Sequence, residues 1–159
     1  METIYRDDDA SVDTCPHLFK ELHEKFFKDR THTVAVLMKD LWNNHALFYY
    51  LLIAKNLSVE LHGWEHLDYS TMTYEECLRD LKLSLDYWNT NATRMLKREL
   101  QADKQITTFF APWNRESDNI KKACNDLGLK FCAVKEGEWQ GYNIKSFHWW
   151  STMNNDFTI

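Results

Sequence analysis

The chain has 159 residues, 44% of them apolar and 27% charged, and a formal net charge of −5, which suits one globular domain over 1–159. No lysine or arginine stripe runs through it, so a nucleic-acid partner is not expected, because that binding rests on clustered phosphate neutralisation. The N-terminal stretch lacks the basic and apolar regions of a signal peptide, and the apolar run from Ala46 to Ala54 is too short to span a bilayer; the expectation is a cytoplasmic protein with no membrane partner.

Taken in order, residues 3–6 read as a short strand that ends in Asp7-Asp8-Asp9-Ala10-Ser11. Three adjacent carboxylates repel one another and have poor β-propensity, so they are expected in a loop. A helix capped by Asp13 or Thr14, with Pro16 near its first position, runs to about Arg30 with Leu18, Phe19, Leu22 and Phe26 inside. Residues 33–38 form a continuous apolar run, the pattern of a central parallel strand buried on both faces. A loop and a second helix over 45–55 follow.

The next stretch, Ser58-Val59-Glu60-Leu61-His62-Gly63-Trp64-Glu65-His66, starts as a strand and breaks at His62-Gly63. Thr73 and Glu76 form a capping box for the longest helix, whose stripe of Leu78, Leu81, Leu85, Trp88, Ala92 and Met95 is core packing. Residues 106–110 read as a strand running into Ala111-Pro112-Trp113-Asn114. A helix with Ile120, Ala123, Cys124 and Leu127 inside stops at Gly128. Residues 130–134 are a short strand, 136–141 a polar loop, and 143–147 a last strand that delivers His148-Trp149-Trp150. The four cysteines lack Cys-x-x-Cys spacing, which points to reduced thiols.

Alternating strands and helices predict an α/β fold with a mainly parallel sheet. Each unusual cluster then lies at the carboxyl end of a strand, on the face where α/β proteins collect ligands: Asp7-Asp8-Asp9, Lys39-Asp40, His62 with His66, Pro112-Trp113, and His148. Two imidazoles four residues apart with a carboxylate from elsewhere can hold a divalent ion and leave positions open, which a hydrolytic site requires. Seven tryptophans are read either as large core residues or as rings walling a sugar cleft.

The order of these motifs resembles the polysaccharide deacetylases with a NodB-like domain, carbohydrate esterase family four. Tyr5-Arg6-Asp7-Asp8-Asp9 stands where that family has Thr-Phe-Asp-Asp-Gly, and His62-Gly63-Trp64-Glu65-His66 matches its His-(Ser/Thr)-x-x-His. Phe110-Ala111-Pro112-Trp113-Asn114 is a loose counterpart of Arg-Pro-Pro-Tyr-Gly, and Ser146-Phe147-His148 echoes Leu-x-His. The resemblance implies a small, distorted, incomplete (β/α) barrel and removal of an N-acetyl group from an amino sugar of a glycan or saccharide. It implies a divalent metal, Zn²⁺ first and Co²⁺, Mn²⁺, Ni²⁺ or Fe²⁺ as alternatives, on Asp8, His62 and His66.

In the same carry-over Asp7 is the general base, His148 the general acid, and Trp113 the source of a backbone N–H near the oxyanion. Pro112, Trp113, Trp64 and Trp149 would line the substrate cleft. The acidic cluster also admits a second register, with Asp8 as base and Asp9 as ligand. Phe110 stands where the family has the arginine that orients the base, which keeps open a second reading: a metal- and glycan-binding relative with weak or no turnover.

Overall fold

The computed structural model describes residues 1–147. Its frame is one seven-stranded sheet in the order β5-β4-β3-β2-β1-β7-β6. The strands are β1 (Glu2–Ala10), β2 (His32–Val36), β3 (Leu57–Leu61), β4 (Thr108–Phe110), β5 (Lys130–Cys132), β6 (Glu136–Trp139) and β7 (Tyr142–Phe147). All neighbours run parallel except β6 and β7. The sheet curls into a nearly closed barrel with a seam between its edge strands. The Trp139 indole of β6 bridges that seam by donating to Phe131 O of β5 at 3.0 Å. The expected α/β class and the small, incomplete barrel are both borne out.

Four helices cover the outside: α1 (Pro16–Phe26), α2 (His45–Ile53), α3 (Tyr74–Leu96) and α4 (Asp118–Asp126). The capping box of Thr73 and Glu76 is formed, and the buried stripe of α3 is Cys77, Leu81, Ser84, Trp88 and Ala92. That stripe packs with Leu47, Phe48 and Leu51 of α2 and the outward residues Val34, Val36, Val59 and Leu61 of the sheet into the main core. A smaller core fills the barrel: Ala35, Phe110, Cys132, Trp139 and Ile144, with Ile4 against it. None of the helices among the described residues is long and apolar enough to cross a membrane.

The N-cap of α1 is Cys15, with no side-chain cap, rather than Asp13 or Thr14, and the sequence expectation fails at three further places, each for a local reason. β1 does not stop at Arg6 but continues through the acidic cluster to Ala10, paired with β2 on one side and β7 on the other. The carboxylates tolerate this because strand alternation sends them to different neighbours. Helix α1 ends at Phe26 rather than near Arg30. Phe27 closes its last turn by donating its backbone N–H to His23 O, and its ring turns inward onto His32 at 4.2 Å between centroids. Residues 136–139, read as loop, are strand β6. Gln140 and Gly141 both have positive φ (47° and 84°), the backbone of a tight two-residue hairpin turn.

Candidate metal centre

Strand β3 aims His62. Val59 and Leu61 face the helices, so the two-residue period turns Glu60 and His62 to the barrel interior. The His62 N–H donates to Val36 O at 2.8 Å, which carries the β2–β3 ladder one step past the strand end. Its Nδ1 lies 2.6 Å from Phe110 O. A carbonyl oxygen only accepts, so Nδ1 carries the proton and Nε2 of the neutral ring presents a lone pair to the cleft.

The chain then turns sharply at Gly63, whose φ is +112°; a Cβ there would strike the Tyr69 hydroxyl and stand 2.8 Å from Glu65 O. That close approach is used. The Trp64 N–H donates to Tyr69 Oη and Asp80 Oδ1, while the Tyr69 hydroxyl itself donates to Asp80. Met38 and Lys39 add backbone bonds to Gly63 O and Trp64 O, both 3.0 Å. The loop is therefore fixed from two sides before it reaches His66, whose ring centroid is 5.0 Å from that of His62.

Strand β1 supplies the carboxylates. Ile4, Arg6 and Asp8 face inward by alternation, while Tyr5 and Asp7 face the helices. Asp9 would follow Asp7 outward, but a bulge between Asp8 and Ala10 and a left-handed φ of 75° turn it back. Aspartate is among the few L-residues at home in that region. Asp9 Oδ1 consequently lies 3.3 Å from His62 Nε2 and 3.6 Å from His66 Nε2. One ligand atom from each of the three residues lies within 4.8 Å of the others.

A lone pair on His62 Nε2 and a carboxylate oxygen cannot face one another unless a proton or a cation lies between them. Two imidazoles and one carboxylate are the donor set of open zinc-type sites. The residues present thus fit a divalent metal. Burial, then the neighbouring His62 ring, lowers the His66 pKa from its ordinary value, which keeps that imidazole in the neutral, ligating form. The cleft above has a volume of about 430 Å³, with Trp113, Asn114, Lys135 and Ser146 on its walls.

The residues named from the sequence divide sharply. His62 and His66 meet as expected, but the carboxylate that joins them is Asp9, not Asp8. Asp8 is held by Arg6 through two bonds, Nε to Oδ1 at 2.9 Å and Nη2 to Oδ2 at 2.8 Å. Asp7 is not in the cleft. It is 1% exposed, and its Oδ2 lies 2.8 Å from His32 Nε2 on the helix side of the sheet. Of the two registers open in the sequence, the geometry favours the second, with Asp8 and Asp9 in the site.

Trp113 stands at the mouth, 56% exposed and edge-on to His66 at 4.3 Å. Pro112 is buried and Trp64 packs edge-on against Tyr87 at 5.2 Å; neither lines the cleft. His148, Trp149 and Trp150 lie outside the described residues. Arg6 and Asn114, which the sequence reading left without a role, are both cleft residues. Counting alternation forward from the partly buried, inward Ile4 would have found Arg6.

No protein-family model and no curated protein matches the sequence. Solved structures do. The family 4 carbohydrate esterase of Streptomyces lividans, in complex with acetate, superposes with a TM-score of 0.70 at 11% identity, over 94% of this chain and 80% of that one. A mutant of BA3943, a CE4 family pseudoenzyme of Bacillus anthracis, with restored enzymatic activity, gives 0.68 at 15% identity, over 98% and 60%. The peptidoglycan deacetylase PdaC of Bacillus subtilis gives 0.58 at 14%, over 82% and 57%. This chain therefore spans about three fifths of the length of two of these three. The likeness read from the motifs is borne out as a shared fold, that of the NodB-like carbohydrate esterases.

Proposed function

We propose that this protein is a metal-dependent hydrolase of the carbohydrate esterase family four type, removing an N-acetyl group from an amino sugar of a glycan or saccharide. The observation that carries the reading is the convergence of Asp9 Oδ1, His62 Nε2 and His66 Nε2 at the carboxyl ends of β1 and β3. Those three residues would hold the ion, zinc before cobalt, manganese, nickel or iron(II). A divalent cation so held supplies Lewis acidity toward an acyl oxygen and a water acidified to near neutrality.

The chain's own residues do the rest. Asp8, beside the triad with its Oδ2 3.8 Å from His62 Nε2, takes the proton of the attacking water. The Trp113 backbone N–H steadies the oxygen of the acyl group, and its exposed ring offers a face on which a pyranose can stack. His148 is assigned the proton for the departing amine, and Trp149 a place beside the sugar. Amide cleavage needs that proton because an amine anion is a poor leaving group.

The second reading is a metal- and glycan-binding relative without turnover. It is favoured by Phe110 standing where the family's arginine is expected, and a CE4 family pseudoenzyme has the same fold. Elemental analysis followed by metal-supplemented hydrolysis of an N-acetylated chito-oligosaccharide separates the two. Stoichiometric metal with acetate release supports the hydrolase, and stoichiometric metal without release at any pH supports the binding protein.

A further inference from the structure

Two carboxylates, adjacent in sequence, reach the same imidazole. Asp9 Oδ1 is 3.3 Å and Asp8 Oδ2 3.8 Å from His62 Nε2. A dication placed by charge alone would draw both, and a carboxylate on the metal has lost much of its basicity. Something has to assign them different tasks. Arg6 is 1% exposed, a buried cation on the same inward face as Asp8 and two residues before it. Its fork grips both oxygens of Asp8. Its remaining nitrogen, Nη1, donates to Asn114 Oδ1 at 2.7 Å and to Val134 O at 2.8 Å. The plane rests over the Phe110 ring, Cζ to centroid 4.9 Å. Every nitrogen is used and the face is packed, so the guanidinium has one position. A bidentate fork held that tightly also fixes the plane of the carboxylate it grips.

We propose that Arg6 is a positioning residue that sorts the two carboxylates. It holds Asp8 off the ion, in place to take the proton of the substrate water, and it leaves Asp9 to bind metal. This rests on the metal-site reading above. The arrangement has an unusual origin in the chain. Position 110, where the resemblance expects an arginine, carries the phenyl ring that supports the guanidinium, and the guanidinium comes from β1 instead. Asn114, at a left-handed φ of 54°, closes the far side of the grip.

The test is a cobalt titration followed by visible absorption, on the intact chain and on Arg6→Met, Asp8→Asn and the double variant. With Arg6 present, Asp8→Asn should change cobalt affinity by less than about threefold, because Asp8 is not a ligand. In Arg6→Met the released Asp8 should join the ion. Affinity should rise by about tenfold, the scale of outer-sphere effects on metal sites, and the cobalt bands should weaken as coordination expands. Adding Asp8→Asn should restore the parent spectrum. If Asp8→Asn weakens binding equally with and without Arg6, or alters neither spectrum, the sorting role is overturned while the metal site stands. If the parent protein binds no cobalt, the metal-site reading itself has failed, and the sorting role with it.

Arg6→Lys keeps the charge without the fork and serves where Arg6→Met does not fold; it should show a partial shift of the same sign, and an unchanged spectrum counts against the fork. Turnover gives a second readout. Arg6→Met should lower kcat by a factor on the order of a hundred with KM within about threefold, the signature of a misplaced base. Arg6→Ser with Phe110→Arg, which returns a guanidinium from the opposite wall, should recover at least a tenth of the parent rate. No recovery, in a double variant that binds cobalt with the parent spectrum, would argue that Arg6 acts by packing alone.

Discussion

Two groups of carboxylates and imidazoles hang from opposite faces of the same strand. On the inner face Asp8 and Asp9 of β1 meet His62 and His66 at the floor of an open cleft. On the outer face Asp7 meets His32, His32 Nδ1 lies 3.1 Å from His23 Nδ1, and His23 Nε2 lies 2.7 Å from Lys55 O. The chemistry of the parts is the same; their surroundings are not. The outer chain is sealed, with His32 stacked between Phe27 at 4.2 Å and Phe19 at 5.4 Å. Burial drives the His32 pKa down to about 3 and that of His23 to about 4. Every polar atom of its two rings is spent inside the fold. The inner group keeps imidazole lone pairs facing one carboxylate across a gap. What makes one group a candidate site and the other a structural tie is where the alternation of one strand points them, together with one bulge.

Hydrogen counting sharpens the contrast. Lys55 O can only accept, so His23 Nε2 carries a proton and, in the neutral ring, His23 Nδ1 must accept from His32 Nδ1. Neutral His32 then shows Asp7 a lone pair at Nε2. The chain of three contacts closes only with one proton more than two neutral imidazoles and a carboxylate supply, and that proton lies between His32 Nε2 and Asp7 Oδ2. The largest expected effect follows. Asp8→Asn should lower kcat by about 10²–10⁴, the usual contribution of a positioned base, with metal retained. Asp7→Asn should leave kcat within about threefold, because Asp7 lies on the helix side of the sheet and an asparagine N–H can donate to His32 Nε2. Reversal of those two rates would return the base to Asp7 and erase the distinction between the faces.

Metal affinity is the next discriminator. Asp9→Ala or His66→Ala should weaken zinc binding, read by competition with a chromogenic chelator, by more than the roughly hundredfold reached by losses in a site's outer sphere. His23→Gln and His32→Gln should leave it unchanged. A zinc affinity that responds equally to both sets would mean that the two groups are coupled through β1 rather than insulated by it.

Much of this division was present in the sequence, and the missing part has a definite cause. The pattern at 58–66 put His62 and His66 just past a strand end, where the structure has them, because a strand with Val59 and Leu61 outward leaves no freedom for residue 62. The α/β class followed from strand and helix alternation, and the incomplete barrel from the family resemblance. The acidic cluster was misread because propensity and like-charge repulsion were weighed without partners. Arg6 takes Asp8, His32 takes Asp7 and the two candidate-site imidazoles share Asp9, and all of these partners but Arg6 come from farther along the chain. The Asp9 bulge has no local signature beyond aspartate's tolerance of positive φ. Strand β6 was missed although Gln140-Gly141 suits a hairpin, since Glu136-Gly137-Glu138 does not look like a strand until β7 is beside it.

A smaller effect tests the sealed face alone. His32→Leu keeps an apolar filler between Phe19 and Phe27 but removes the ring that Asp7 Oδ2 and His23 Nδ1 both use. It should cost about 1–3 kcal/mol in urea unfolding, the penalty for stranding buried polar groups. His66→Leu in the metal-free protein should cost less, because that side chain is 30% exposed to water. If the two cost the same, the outer chain is not the tie described here.

The smallest effect is the pH dependence of stability, and its sign is fixed by the direction of the shifts. His23 and His32 titrate in the folded protein at about 4 and about 3, below the ordinary 6.5. The unfolded chain takes up protons below that value while the folded protein does not. Their contribution is therefore complete above pH 6.5 and is lost as pH falls toward 4. Glu60 works in the opposite sense. Burial raises its pKa to about 7, against four hydrogen bonds from Ser58, Thr107 and Thr108 that pull it down. A raised carboxyl contributes stability below its unfolded value and loses it as pH rises through 7, so in the parent protein the two trends partly cancel between pH 5 and 7. Glu60→Gln removes the opposing trend. In that background the unfolding free energy of the metal-free protein should fall with decreasing pH across this window, at no more than about 1.4 kcal/mol per pH unit for each proton taken up. Adding His23→Gln should make the line shallower; adding His17→Gln, on an exposed position of α1, should not. A slope left unchanged by the loss of both His23 and His32 would move the acid sensitivity from the sealed face to the cleft, where His66 is shifted in the same direction.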